Sequence, residues 1–522
     1  MKVKNDTYPS ILNQVIGPVM RGPSASHCAA SVRIGKLARE LMDGNISSVL
    51  IEFDPHGSLA TTHTSQGSDM GLFGGLLGWD TTDTRLTDSA AAVRKAGIDI
   101  DIKIKDYGAQ HPNTYRLTLK NDKETHQMTA LSTGGGMTEI IEIDSVPVSI
   151  QGDYYETLMY SKKNIDSLYN HLQSVLNVDD ITIQKNHNRK IIEIKSQHPL
   201  PDATLSELKK KFTITHIKSL SPVLPVLSRK NMTVPFLTST DMLEYNKGKN
   251  LSLWELALRY ESLRSNVEEE VIFRKMEDIV RIVKESIQKG IRGTEYDDRI
   301  LGYQSDSFRA GIKSGKLIDA GILNRIILYV TALMEMKSSM GIIVAAPTAG
   351  SCGTLPGACV ATAESLGLSN KETTKAMLAA GMTGIFIAAH ATFAAEVGGC
   401  QAECGAGSGM AAAALVSLKG GSVEQCLGAA SMALQNSLGM ICDPVANRVE
   451  VPCLGKNIMA ASNALACANM ALAEYDPVIP LDEVIDTMDK VGKNIPSELR
   501  CTGLGGLSVT RTSKMIEKKL NR

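Results

Sequence analysis

At 522 residues the chain is too long for one compact domain, and its 43% apolar and 21% charged residues suit several well-filled cores. Its 55 basic and 56 acidic residues leave a net charge of −1. That balance excludes the electrostatic footprint expected of a nucleic-acid or anionic-membrane binder.

The start, MKVKNDTYPSIL, has no uninterrupted apolar stretch and no small-residue cleavage site, so it does not read as a signal peptide. The expectation is a cytoplasmic protein. GPSASH, residues 22–27, then stands on a Gly-Pro turn directly ahead of a helical pattern, AASVRIGKLAREL. Two serines and a histidine there fit either a receptor for a small anion or ordinary helix N-capping. SSVLIEFDPHG, IDIDIKIKDY, NTYRLTLK and HQMTALSTGGG follow as strands, which predicts an N-terminal α+β domain over residues 1–150.

Residues 151–225 change character. YYETLMYS, NIDSLYNHLQSVL, DDITIQKN, KIIEIKSQ, PDATLSELKKKF and THIKSLSPVL read in the order βαββαβ, with a turn at HNR between the middle strands. That order belongs to a ferredoxin-like unit, commonly used in small amino-acid-binding regulatory modules. From 226 to 522 strand patterns nearly vanish, and long helical periodicities give way to Ala-, Gly-, Ser- and Met-rich segments. This predicts a dense C-terminal all-α domain. The most membrane-like stretch, GIIVAAPTAGSCGTLPGACVATA, is broken by Pro and Gly and reads as buried core.

Nine of the ten cysteines lie between Cys352 and Cys501, with Cys28 alone before them. In a reducing compartment a disulfide framework is not expected. Most of the nine read as small buried hydrophobes. Three have distinctive settings: Cys400 in EVGGCQAECG, and Cys442 and Cys453 at the ends of CDPVANRVEVPC, both beside proline, where helices stop. Three thiolates meeting at such breaks would hold an iron–sulfur cluster with one iron left open as a Lewis acid. Buried structural thiols are the alternative, and no C-x-x-C pair marks the metal reading.

GPSASH, GSLATTHTSQGSD, HPNTYRL, STGGGM, APTAGSCGTLPG, AEVGGCQAECG, LGMICDPVANRVEVPC, KNIMAASNALA and GLGGLSV occur in this order along nearly the whole chain. The series resembles the bacterial iron–sulfur-dependent L-serine dehydratases (L-serine ammonia-lyases), most closely in the C-terminal third. It looks like the form that joins a β part and an α part in one polypeptide. The resemblance implies a [4Fe-4S] cluster on Cys400, Cys442 and Cys453, with Cys404 not required. It also implies an all-helical catalytic domain beside an allosteric-substrate-binding-like α+β domain, and an ACT-like central module.

β-Elimination of serine to pyruvate and ammonia needs a base at Cα, assistance to the leaving hydroxyl, and a hold on the carboxylate. His63 and His27 are the candidate bases, with His56 and His390 weaker ones. Ser24, Ser26, His27, Thr348 and Gly350 are the candidate substrate contacts. Four positions depart from the family pattern: Cys28 for threonine, Gln66 for histidine, Ala349 for an amide residue, and Gln435, Asn436 and Ser437 where EHN is usual. The end of the chain, KKLNR, offers no terminal cysteine of the kind some relatives place near the open iron. The departures keep a related lyase acting on threonine or cysteine in view. A non-catalytic amino-acid sensor and a zinc protein also stay open, although no fourth zinc donor is evident. The expected partner is a small amino acid, with no nucleic acid and no membrane, and the expected assembly is a homodimer.

Overall fold

The computed structural model describes residues 8–161, 165–186 and 189–520. It is multidomain, with α/β sheets in the N-terminal part and a helical C-terminal region. β1 (Val19–Met20) and β12 (Ile343–Val344) form a short antiparallel pair that ties the start of the chain to the helical region. Six further strands make one sheet: β2 (Ser48–Phe53), β3 (Asp99–Ile104), β4 (Thr114–Lys120), β5 (Thr125–Gly134), β6 (Met137–Ile143) and β7 (Val146–Ile150). Their order is β3-β2-β4-β5-β6-β7, and only β2–β3 is parallel. Along β5, His126, Met128, Ala130 and Ser132 face inward while Thr125, Gln127 and Thr133 face water, the period of two that one-sided burial demands. The hairpin β6–β7 was not among the expected strands. The edge strand β3 is mostly exposed and carries Asp99, Asp101 and Lys103, charges that discourage edge pairing.

The helices Ala30–Leu41 and Ser68–Leu76 cross at backbone contact. A Cβ on Gly75 would lie 2.2 Å from the Val32 carbonyl oxygen and 2.8 Å from the Gly35 Cα. Gly75→Ala should therefore lower the unfolding free energy by about 1–3 kcal/mol, read from the urea midpoint. An unchanged midpoint would mean that the helices part freely.

β8 (Tyr155–Ser161), β9 (Asp180–Lys185), β10 (Lys190–Ser196) and β11 (Ile214–Leu220) form a second, antiparallel sheet in the order β11-β8-β10-β9. The helices Ile165–Val175 and Asp202–Lys211 intervene in the chain order β8-helix-β9-β10-helix-β11. His187 and Asn188 of the expected HNR turn lie outside the described residues, as do Met1–Thr7 and the last two residues. One face of this sheet packs on its own helices through Met159, Ile192 and Ile194. The other joins the core of the six-stranded sheet through Leu158, Tyr160 and Ile191.

The helices Asn370–His390, Cys404–Leu418, Val423–Gln435 and Cys453–Leu472 pack closely because alanine and glycine line their contacts. The segment GIIVAAPTAGSCGTLPGACVATA is buried there, ending in the helix Thr354–Ser365. Residues 10–29 pack with this helical core, and Gly384 admits them: a Cβ there would sit 2.1 Å from Val15 Cγ1. Glu261 anchors the same segment, accepting from Ser10 Oγ at 2.6 Å and Ile11 N at 2.7 Å. Among the described residues no helix is long and apolar enough to cross a membrane.

Candidate active site

The GPSASH turn meets the helical region at Glu396. Ser24 occupies the N-cap position of the short helix Ala25–Ala29, but its side chain makes no cap bond. Its hydroxyl instead lies 3.0 Å from His27 Nδ1. Ser26 Oγ is 3.2 Å from the same nitrogen and donates to Glu396 Oε1 at 2.7 Å. Ser132 Oγ donates to the Ser26 carbonyl at 2.6 Å and fixes the turn from the sheet side.

His27 is fully buried, and its Nε2 lies 2.9 Å from Thr62 Oγ1. Thr62 gives its own hydroxyl proton to the Ser58 carbonyl at 2.6 Å. Nε2 must then be the protonated nitrogen and Nδ1 the acceptor, facing Ser24 and Ser26. Burial holds the His27 pKa below the free value of 6.5, against the opposing charge of Glu396 and with help from nearby His63. The ring is a neutral base whose Nδ1 lone pair faces the Ser24 hydroxyl.

His63 sits apart. Its Nδ1 contacts Asp69 at 2.8 Å, its ring lies against Phe53, and it borders an open cavity of about 120 Å³ with Thr64, Asn447 and Arg448. His56 is exposed beside Asp106. His390 Nε2 bonds the Leu237 carbonyl at 3.0 Å, and among the described residues neither histidine joins the group of Cys400, Glu403 and Cys442.

Thr348 Oγ1 donates to Glu403 Oε1 at 2.7 Å. Gly350 is glycine because Glu403 leaves no room: a Cβ there would fall 2.8 Å from Oε2. Burial, then the neighbouring Cys400 charge, push the Glu403 carboxyl up to about 8. The ligand atoms of Cys400, Glu403 and Cys442 lie within 4.8 Å of one another. Contact with Cys404 and then Cys442 lowers the Cys400 thiol. Cys453 opens the helix Cys453–Leu472 outside that tight group, close enough for its charge and that of Cys400 to interact.

All ten cysteines are buried and unpaired by disulfides. Cys404 touches Cys400, and Cys501 touches Cys442, so more thiols gather here than the three expected. Cys501 has a left-handed backbone (φ 63°) and is locked to Cys442 by its N–H to the Cys442 carbonyl at 2.9 Å. Soft sulfur donors in a dry pocket fit an iron–sulfur group or zinc, and oxygen-seeking metals poorly.

Of the departures, Gln66 reaches the site, with Nε2 3.8 Å from Cys501 Sγ. Cys28 is packing, its thiol pushed up to about 12 by burial beneath Gly22 and Gly67. Gln435 turns to Ser431 and the Pro477 carbonyl. Sequence reasoning missed Glu396, Glu403, Thr62 and Cys501. The two carboxylates flank Cys400 at four and three residues, a spacing that could have flagged them.

The family model described as serine dehydratase alpha chain matches residues 248–508. The "Probable L-serine dehydratase, alpha chain" of Bacillus subtilis strain 168 is 38% identical over 285 residues, 55% of this chain and 95% of that one. The corresponding "beta chain" of the same organism is 37% identical over 147 residues, 28% of this chain and 66% of that one. The "L-serine dehydratase" of Helicobacter pylori strain ATCC 700392 / 26695 is 26% identical over 496 residues, 94% of this chain and 96% of that one. The chain belongs to the serine dehydratase family, and it is a lyase.

Proposed function

We propose that this chain deaminates L-serine to pyruvate and ammonia with a [4Fe-4S] cluster held by Cys400, Cys442 and Cys453. The observation that carries the reading is the meeting of two halves: Glu396, which accepts from Ser26 of GPSASH, follows Ala395, which packs with the buried Cys400, Cys442 and Cys501. When bound, such a cluster supplies a Lewis-acidic iron for the substrate's hydroxyl and carboxylate. The chain's own groups do the rest. His27 Nδ1 takes the Cα proton, with Nε2–H kept on Thr62. The Ser24 and Ser26 hydroxyls turn toward the substrate, and Glu396 holds Ser26 in place. Thr348 and the backbone at Gly350 border the carboxylate. Burial of the pocket keeps water from competing for the base. The enamine released tautomerises and hydrolyses without help. His63, paired with Asp69, is the second candidate base.

We divide the chain into an α+β domain (1–150), a ferredoxin-like, ACT-like module (151–225) that would take an effector, and a helical catalytic domain (226–522). The expected setting is a cytoplasmic homodimer.

The test is anaerobic purification, a visible spectrum, iron and sulfide counts, then L-serine with pyruvate, 2-oxobutyrate and sulfide assayed in parallel. A brown protein producing pyruvate is the expected result, with activity lost in air and restored by ferrous iron and thiol. A brown protein that turns over only threonine or cysteine would move the substrate. One that binds amino acids without turnover would be a sensor. A colourless protein holding zinc is the second reading, favoured by the extra thiols of Cys404 and Cys501, which could complete a four-sulfur set.

A further inference from the structure

Lys337 lies near the end of the helix Ile322–Ser338 and is wholly buried. Its Nζ donates to the Val449 carbonyl, its sole hydrogen-bond partner among the described residues, and no described carboxylate lies within 4.0 Å of it. A buried ammonium with no counter-ion is strongly disfavoured, so an anion belongs near it. Two other cations of this region are matched by carboxylates, whereas Arg500, beside Cys501, donates to the Val397 carbonyl at 3.2 Å. Lys456 bonds Asp443 Oδ1 at 2.9 Å and the Ile441 carbonyl at 2.7 Å, and Arg448 pairs with Asp298 at 2.7 Å.

Val449 belongs to the segment VEVPC that delivers Cys453, and Glu450 in the same segment accepts from the Ile300 and Leu301 N–H groups at 2.9 Å each. Lys337 thus grips the strand of chain that ends in a thiol ligand. Its charge also reaches Cys453, Cys352, Glu403 and Glu450. Burial pushes all four groups up, and the ammonium partly offsets that rise.

We propose that Lys337 is the counter-charge of the thiolate site: a positioning residue that balances the anionic group held by Cys400, Cys442 and Cys453 and sets its reduction potential. The inference rests on the iron–sulfur reading above. Three thiolates on a core of charge 2+ leave one net negative charge, which the Lys337 ammonium opposes.

The experiment compares wild type, Lys337→Met and Lys337→Arg, each purified anaerobically. Iron and sulfide counts and the cluster midpoint potential are the readouts. Removing a cation disfavours the added electron, so Lys337→Met should lower the potential. The expected shift is at least a tenfold change in the reduction equilibrium, about 59 mV for one electron. Lys337→Arg keeps the charge and should stay near wild type. A Lys337→Met protein with full cluster content and wild-type potential overturns the proposal. If Lys337→Met cannot hold the cluster, Lys337→Arg decides: a loaded protein at the wild-type potential supports the charge role, and an empty one overturns it. A wild-type protein without iron overturns the cluster reading itself, and so fails separately.

Discussion

Serine in place of Cys442 should leave a folded, colourless protein whose pyruvate formation has fallen roughly a thousandfold or more, the loss expected when Lewis-acid assistance worth several kcal/mol disappears. Cys400→Ser and Cys453→Ser should do the same. Folding survives because serine fills nearly the same space and can keep the contacts now made among neighbouring thiols. Cys404→Ser is the discriminating control. Its sulfur accepts from the Asn457 amide at 3.6 Å and opens the helix Cys404–Leu418, so this variant should keep its iron. Cys359 and Cys426, thiols pushed up to about 12 by burial within helix packing, should cost stability alone when replaced. Iron counts and the visible spectrum separate these outcomes. Full activity in Cys442→Ser would end the three-cysteine assignment.

His27→Gln should lower kcat by about 10²- to 10⁴-fold with iron content unchanged, the usual worth of a positioned base. Glu396→Gln should fall less, because it loosens Ser26 without removing the lone pair on Nδ1. Thr62→Val should lower kcat more than it alters KM, since Nε2–H then loses the acceptor that fixes the tautomer. The pH profile follows from the direction of the His27 shift. The neutral ring is the active form and its pKa lies below 6.5, so the acid limb of kcat/KM should fall below that value. Stability runs the same way. The unfolded chain binds the extra proton first, so the contribution of the buried neutral ring is complete above pH 6.5 and is lost as pH falls through the folded value. If His63→Ala falls as far as His27→Gln while His27→Gln keeps its acid limb, the base is His63.

Local patterns made much of this legible. Alternation marked β3, β4 and β5, and the long helical periodicities correspond to Leu253–Ser265, Glu269–Arg292 and Ile322–Ser338. The hairpin β6–β7 escaped because its turn is Asp144-Ser145, both left-handed, where Asn-Gly is the recognisable signal. Pro147 on the last strand further disguised it. The thiols announced themselves by lying at proline and glycine breaks. Their carboxylate neighbours did not, because Glu396 acquires meaning only against Ser26, 370 residues earlier. The tautomer of His27 depends on Thr62, and Thr62 depends on Ser58, a relation set by a helical turn rather than by any motif. Residues 10–29 read locally as an entry to the α+β part. Their partners, Gly381 and Gly384, stand far along the chain.

The docking of those first residues has a mechanical consequence. The α+β part is fastened to the helical region through Ile11, Val15 and the β1–β12 pair on one side and through the chain that continues past Val226 on the other, with Ser26–Glu396 and Gln66–Cys501 between them. It resembles a handle riveted at both ends. A protease nick between residues 227 and 235 would yield two fragments on a denaturing gel. On a native column the same sample should still elute as one particle, with the Ser26–Glu396 contact intact and activity retained.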